Sequence, residues 1–488
     1  MQTLAFDLGA SSGRAMVGNL QNGKLNVQEI YRFSNNPVTI DKKYWDILRL
    51  FHEIKKGLVA SSLLHHKELK TVGIDTWGLS FGFLGRNGEL LGNPVHYRDD
   101  QANGMVDEVT SIIPKAELYS TTGCQFTQVN SLYHIYAMKK EQSSILENAE
   151  TMLMIADLLR YFLTGEQTAE ETISSTTQLY NPITNNWDYK TIHKLGIPDK
   201  IFPEMIQSGT YAGSLRPSIC AQLNVPSLQV VAVGEHDTAS AVVSVPAETE
   251  DFAYISCGTW SLLGTELDKP IINDQAFEWN FTNEKGVLNT YRLLKNIMGL
   301  WILQQCKSAW DQEGHVLSYG EMTELAANAR PFRSFIDPDH DMFLNPLSMP
   351  DQIIKYCSIT HQPVPETKEA IIRCVLESLV FKYQYYIEKL EKLTEKSFKG
   401  LHIVGGGAHN TLLCQFTANA IGKPVFAGPV EATAIGNLLM QYMAMGEVRN
   451  LSETREIVRH SFHVESYEPR DCSDWTEAYG QFLKITDL

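Results

Sequence analysis

Leu4-Ala5-Phe6-Asp7-Leu8-Gly9-Ala10-Ser11-Ser12-Gly13-Arg14, running on into Ala15-Met16-Val17-Gly18, is the stretch whose reading decides the fold. A short apolar run ends on one carboxylate, a turn of Gly and Ser follows, and a second apolar run leaves it. That pattern predicts a β-hairpin. Glycines let backbone N–H groups approach a ligand closely, and Ser11, Ser12 and Arg14 add donors, so the turn is suited to cradling a polyphosphate. Asp7, at the end of a buried strand, is placed to face a hydrated Mg2+ on that phosphate, because a hard cation takes carboxylate oxygen or water. An ordinary Gly/Ser turn with a capping Asp accounts for the same letters.

Gly9-Ala10-Ser11-Ser12-Gly13 also fits the Gly-x-Ser-x-Gly pattern of a serine hydrolase elbow, which a helix must follow. Arg14 to Leu20 carries no helical stripe, and Asn22-Gly23 supplies another hairpin turn instead. The context therefore opposes the hydrolase.

The chain, at 488 residues, is too long for one core and predicts two large domains, with three as the alternative. A net charge of −16 opposes a nucleic-acid partner, which needs a basic footprint to displace counterions. It does not oppose ATP, whose charge can be met by a cation, backbone N–H groups and helix dipoles. Asp7 falls where a signal peptide needs its apolar core, and no apolar run approaches the roughly 20 residues of a membrane span, so a cytoplasmic location is expected. Eight scattered cysteines, without Cys-x-x-Cys spacing, are expected to be reduced.

Further along, Trp45 to Leu64 has the spacing of an amphipathic helix, and Thr71 to Gly78 reads as a buried strand that breaks into a glycine turn. Asp75 and Trp77 at that strand end are candidate cleft walls, with a core Trp and a turn-capping Asp as the plain alternative. Leu228 to Val233 is a strand, Gly234-Glu235-His236-Asp237 an acidic turn, and Thr238 to Val243 a small-residue helix. Asp237 is then either an N-cap or a general base aimed into a cleft. Pro246 to Asp251 is a polar, proline-marked break, which divides the chain into 1–246 and 247–488. Directly beyond it, Phe252 to Gly264, with Gly258-Thr259-Trp260-Ser261 at its centre, repeats the opening theme and suggests an internal duplication with a nucleotide between the halves. Leu293 to Gln304 reads as a turn into a helix, Glu369 to Leu393 as a long helix, and Leu401-His402-Ile403-Val404 as a strand running into Gly405-Gly406-Gly407.

As a set, in order, these blocks resemble the FGGY carbohydrate kinases, members of the actin/hexokinase-type ATPase superfamily. The resemblance spans nearly the whole chain. It implies an α/β fold of two duplicated actin/hexokinase-like (ribonuclease H-type) domains with a central cleft, the first holding the sugar and the catalytic Asp, the second the nucleotide. It also implies ATP-dependent phosphorylation of a small sugar, with the 1-hydroxyl of L-rhamnulose as the implied acceptor. Other ketoses or polyols, and a non-catalytic ATP-binding regulator, remain alternatives. Carried onto matching positions, Asp237 is the expected base; Ala10, Ser11, Ser12, Gly13, Arg14, Thr259, Gln304 and Gly406 are expected to hold ATP. Gly78, His236, Asp237, Thr238 and Asn296 are expected to line the sugar pocket, and Asp7 to act on Mg2+ through water. The expected partners are the sugar and ATP, with no nucleic acid and no membrane, in a monomer or small homo-oligomer. Glu235 departs from the smaller or neutral residue that some relatives carry before the His.

Overall fold

A computed structural model describes residues 1–65 and 69–488. The chain forms two compact units: Met1–Ser244 with Glu266–Leu293 and Ala432–Ser461, and Val245–Thr265 with Leu294–Glu431 and Phe462–Leu488.

The first unit is built on strands β1 (Gln2–Leu8), β2 (Ser12–Gln21), β3 (Lys24–Ser34), β4 (Leu69–Thr76), β5 (Thr210–Ser214) and β6 (Gln229–Ala232), in the order β5-β6-β4-β1-β2-β3. β1 pairs antiparallel with β2, setting Asp7 opposite Arg14, and parallel with β4, setting Asp7 beside Asp75. All seven β1 residues are buried, as a central strand covered on both faces requires, which is why its sequence is nearly continuous apolar. Helix α1 (Ile47–His65) presses Leu50, Ile54 and Leu58, at helical spacing, into the core. Residues from Phe81 to Phe202 add a helix-rich layer with its own apolar core, including Val109, Leu118, Leu132 and Ile135. Because Ser12 begins a strand and not a helix, the hydrolase elbow is absent.

The second unit repeats the sheet. Its strands are β7 (Ala253–Cys257), β8 (Trp260–Leu267), β10 (Tyr291–Met298), β11 (Leu401–Val404), β12 (Val425–Ala427) and β13 (Glu465–Tyr467), in the order β10-β8-β7-β11-β12-β13, with β9 (Thr282–Lys285) beyond β10. β9 and Tyr291–Leu293 of β10 count with the first unit. β7 and β8 form the antiparallel hairpin, β7 and β11 run parallel, and an antiparallel strand closes the far edge, as β5 does in the first unit. The duplication expected from two similar hairpins is thus a duplication of sheet topology.

Leu293 to Met298, read from sequence as a turn, is strand instead, and the helix α3 (Trp301–Gln312) that completes this region follows it. Three of its residues, Leu293, Leu294 and Ile297, are fully buried, and such a short apolar run cannot be told from buried helix by periodicity. The long helix α4 (Lys368–Thr394) buries Ile372, Val375, Leu376 and Leu379, and α5 (Thr411–Ile421) ends on Gly422 at φ 64°.

Helix α6 (Ala432–Ala444) belongs to the first unit and is tied to its sheet by polar side chains. Gln441 donates to the Leu4 carbonyl at 2.9 Å and accepts from the Thr71 hydroxyl at 2.7 Å, and Asn437 donates to Asp75 at 2.6 Å. These residues are buried, so each lost bond would leave a desolvated polar group. Among the described residues no helix is long and apolar enough to cross a membrane.

Candidate active site

The opening turn of the first unit is closed by its own backbone. Gly9 N–H donates to Ser12 O at 2.9 Å, while Asn35 holds the outside of the turn through Ser11 O and Gly9 O. Ser11 is exposed, Ala10 and Ser12 half-buried, and Gly13 buried. Arg14 Nε donates to Asp7 Oδ2 at 3.1 Å, a charge-assisted bond between facing residues of the hairpin. The arginine expected at phosphate is therefore held at the carboxylate expected near the metal.

Beside it, Asp75 is fully buried, and its Oδ1 has no hydrogen-bond partner among the described residues. Burial, then the charge of Asp7, raises the Asp75 pKa well above the usual carboxylate range, with the Asn437 bond opposing. Trp77 is core, its ring centroid 4.1 Å from that of Trp45. Gly78 is buried where a β-carbon would come within 3.0 Å of Thr176.

The turn that carries Asp237 is pinned from beneath. Thr76 N–H donates to Glu235 O at 2.9 Å, His236 N–H to the Thr172 hydroxyl at 3.2 Å, and Glu235 N–H to Glu170 Oε2 at 3.3 Å. The Glu235 side chain is buried and accepts from Arg160 Nε at 2.6 Å, and Arg160 Nη2 donates to Asp157 at 2.6 Å. Two buried carboxyl groups, Asp157 and Glu235, thus flank one buried guanidinium, and a third, Glu170, receives the Glu235 N–H. Burial pushes the Glu235 pKa well up and that of Glu170 up to about 8, with the Arg160 charge opposing at Glu235. In the sequence Glu235 stands out only as a departure from the smaller or neutral residue of some relatives. Its acidic partners lie some 65 and 78 positions upstream, which no local pattern could connect to it.

Asp237 opens helix α2 (Asp237–Val243), with His236 as its N-cap residue. Its Oδ1 accepts from the Thr238 hydroxyl at 3.1 Å and lies 3.4 Å from His236 Nε2. The side chain keeps 31 % exposure, so it is held by the protein yet reachable. Burial raises its pKa, the neighbouring His236 lowers it, and the charge of Asp7 raises it again. Asp7, Asp75 and Asp237 therefore share one electrostatic environment. Carboxylate oxygens are the donors that a hard divalent cation prefers, which fits Mg2+ here. Among the described residues no three His, Cys, Asp or Glu side chains form a metal cage.

In the second unit, Gly258 N–H donates to Trp260 O at 2.8 Å, and Trp301 N–H to Thr259 O at 3.0 Å. The Thr259 hydroxyl meets Gln304 Oε1 at 3.4 Å, so these two expected nucleotide residues come together. Gly406 is exposed in open space, whereas a β-carbon on Gly407 would lie 2.1 Å from Cys257 Sγ. The triple-glycine turn is thus packed against the second hairpin by the β7–β11 pairing. Asn296 stands half-buried on β10, flanked by buried neighbours. The expected residues fall into two sets. Asp7, Ala10 to Arg14, Gly78, His236, Asp237 and Thr238 lie in the first unit, and Thr259, Asn296, Gln304 and Gly406 in the second.

A strand–turn–strand hairpin with a parallel neighbour is built twice on the same sheet order, the two-domain α/β architecture of the actin/hexokinase-like fold, and the first unit sets a carboxylate at a helix start. Residues 2–244 match the N-terminal domain and residues 253–445 the C-terminal domain of the FGGY family of carbohydrate kinases, and the chain belongs to that family. It is 42 % identical over 481 residues to the rhamnulokinase of Bacteroides thetaiotaomicron, covering 98 % of each chain. To the rhamnulokinase of Bacillus subtilis it is 40 % identical over 468 residues, covering 96 % of this chain and 95 % of that one. Gluconate kinase from Lactobacillus acidophilus has the same fold at a TM-score of 0.82 and 16 % identity, over 99 % of this chain and 97 % of that chain. Plasmodium falciparum glycerol kinase with ADP superposes at 0.79 and 15 % identity, over 100 % and 98 %.

Proposed function

We propose that the chain transfers the γ-phosphoryl group of ATP to the 1-hydroxyl of L-rhamnulose. The observation that carries this reading is end-to-end similarity at about 40 % identity to several rhamnulokinases.

Phosphoryl transfer asks a protein for in-line positioning and charge neutralisation more than for covalent chemistry. Asp237 accepts the proton of the attacking hydroxyl. Its partial exposure leaves it open to a sugar, and Thr238 and His236 hold its orientation. Its pKa, raised by burial, makes it a better base than a solvated carboxylate. Asp7 would hold the metal through water, with Arg14 fixing its carboxylate. Bound Mg2+ supplies neutralisation of phosphate charge during transfer. Ala10 to Gly13 offer backbone donors to phosphate, and Thr259, Gln304 and Gly406 serve the nucleotide. Gly78, His236 and Thr238 are the first unit's groups for the sugar.

The test is ADP release from Mg-ATP with L-rhamnulose, L-fuculose, L-ribulose, D-xylulose, glycerol and no sugar. A kcat/KM for L-rhamnulose well above the rest is expected. Preference for another sugar would overturn the acceptor, and no release above the control would overturn the kinase.

A further inference from the structure

The turn that joins β10 to α3 lies against the second hairpin and is held from behind by a carboxylate that the phosphoryl-transfer reading does not use. Leu300 N–H donates to Gly258 O at 3.3 Å and Trp301 N–H to Thr259 O at 3.0 Å. A β-carbon on Gly299 would stand 2.5 Å from Ser261 Oγ and 2.7 Å from Ser261 N, so the turn and the hairpin touch with no space between them. At the start of the turn, Met298 N–H donates to Asp339 Oδ1 at 2.8 Å. All of these residues belong to the second unit.

Asp339 reaches the turn from a segment fastened to α4. Ile336 N–H donates to Ser378 Oγ at 2.9 Å, and Lys382 Nζ donates to Asp337 Oδ1 at 2.6 Å. The same Asp337 oxygen accepts Asp339 N–H at 3.0 Å. Further on, Trp301 Nε1–H donates to Phe343 O at 3.2 Å, a second bond between this segment and the turn. Asp339 Oδ2 makes no hydrogen bond and lies 3.5 Å from Lys382 Nζ. The two oxygens therefore differ: Oδ1 holds a backbone N–H, and Oδ2 offers a buried lysine charge alone. Counter-charge is thus the competing role for Asp339. It extends to the buried Lys295, whose pKa burial lowers to about 7 while the Asp339 charge opposes.

We propose that Asp339 is a positioning residue for the nucleotide: by accepting Met298 N–H it fixes the turn 298–301, and through that turn it holds the backbone of Gly258 and Thr259 in the geometry that receives ATP. The inference rests on the reading of Thr259 and Gln304 as nucleotide residues. The Thr259 hydroxyl meets Gln304 Oε1 at 3.4 Å, and Gln304 N–H donates to Leu300 O at 2.8 Å, so a shift of the turn moves both groups. Without Asp339 the turn and hairpin must be ordered at the moment of binding, and that ordering subtracts from affinity. The effect falls on the nucleotide, because the turn contacts the second hairpin while Asp237 lies in the first unit.

Titration calorimetry of Mg-ADP on the full chain tests this without the acceptor being known. Asp339→Ala is expected to weaken binding about ten- to hundredfold, the range set by one lost hydrogen bond to a charged group. Asp339→Asn keeps an oxygen for Met298 N–H and gives up only the charge, so its affinity is expected to lie nearer to wild type than to Asp339→Ala. Wild-type affinity in Asp339→Ala overturns the proposal. Asp339→Asn as weak as Asp339→Ala also overturns it, and makes counter-charge the role. In steady state, Asp339→Ala is expected to raise the KM for ATP and leave the KM for the sugar unchanged; an equal rise in both overturns the proposal. Hydrogen exchange of the wild-type chain, read by mass spectrometry, needs no variant to fold. Mg-ADP is expected to slow exchange at 298–301, and unchanged exchange there overturns the proposal. Thr259→Ala separates the two layers. If it binds Mg-ADP like wild type, the nucleotide reading of the second hairpin fails; if it binds weakly while Asp339→Ala binds normally, only the role of Asp339 fails.

Discussion

Gly436→Ala tests how the fold places the base. Gly436 lies on α6, and a β-carbon there would stand 1.8 Å from Ser240 O and 2.6 Å from Ser240 C, both backbone atoms of α2. Reaching an ordinary contact of about 3.4 Å requires the helices to part by roughly 1.6 Å. α6 cannot easily retreat, because Gln441 and Asn437 hold its other side to Leu4 and Asp75. α2 must therefore move, and its first residue is Asp237. Overpacking of this kind costs about 3 kcal/mol, which at ~2–4 °C per kcal/mol lowers the unfolding midpoint by roughly 6–12 °C. A displacement of about 1 Å at the reacting centre costs on the order of a hundredfold in rate. Helix propensity alone acts the other way, favouring Ala over Gly by about 1 kcal/mol. Gly480→Ala, in the helix Cys472–Thr486 with nothing within 4 Å of its β-carbon, is the matched control, expected to hold or raise the midpoint and leave kcat alone. Calorimetry and coupled ADP release measure both. A Gly436→Ala protein that melts and turns over like wild type would refute the reasoning.

Asp237→Asn is expected to keep the fold and ATP affinity while kcat drops about 10²- to 10⁴-fold, as loss of a general base does; a drop below tenfold in steady-state turnover would remove Asp237 from that role. Arg160→Met leaves the buried carboxyls of Asp157 and Glu235 without their cation and is expected to destabilise by about 3–5 kcal/mol in urea unfolding; a loss under 1 kcal/mol would show that the carboxyls hold one another through shared protons. Glu170, with a folded pKa of about 8 against about 4.5 unfolded, stabilises the fold fully below pH 4.5. That contribution is lost as pH rises toward 8. Glu170→Gln is therefore expected to flatten the decline in denaturant midpoint between pH 5 and 8, and an unchanged slope would count against a protonated Glu170.

Local residue order was enough for the two hairpins, the buried strand before Gly78, the acidic turn at Asp237 and the triple glycine, because each is a short pattern whose chemistry and conformation are set by neighbouring residues. The family was legible for the same reason, as a series of such patterns in fixed order. The sequence alone did not reveal that 266–293 and 432–461 belong with the first unit, since helix α6 reaches Asp75 and Leu4 through Asn437 and Gln441 across more than 360 positions. Nor did it reveal that Leu293 to Met298 is a strand, because a short buried apolar run has no period to read. The surroundings of the base were invisible as well. Glu170, Arg160 and Asp157 under Glu235, and Glu284 with Arg292 behind His236, come from separate elements. Sequence determined which chemical groups the protein carries and their order. Only tertiary packing decided which buried charges face one another, because burial and proximity give those charges their strength.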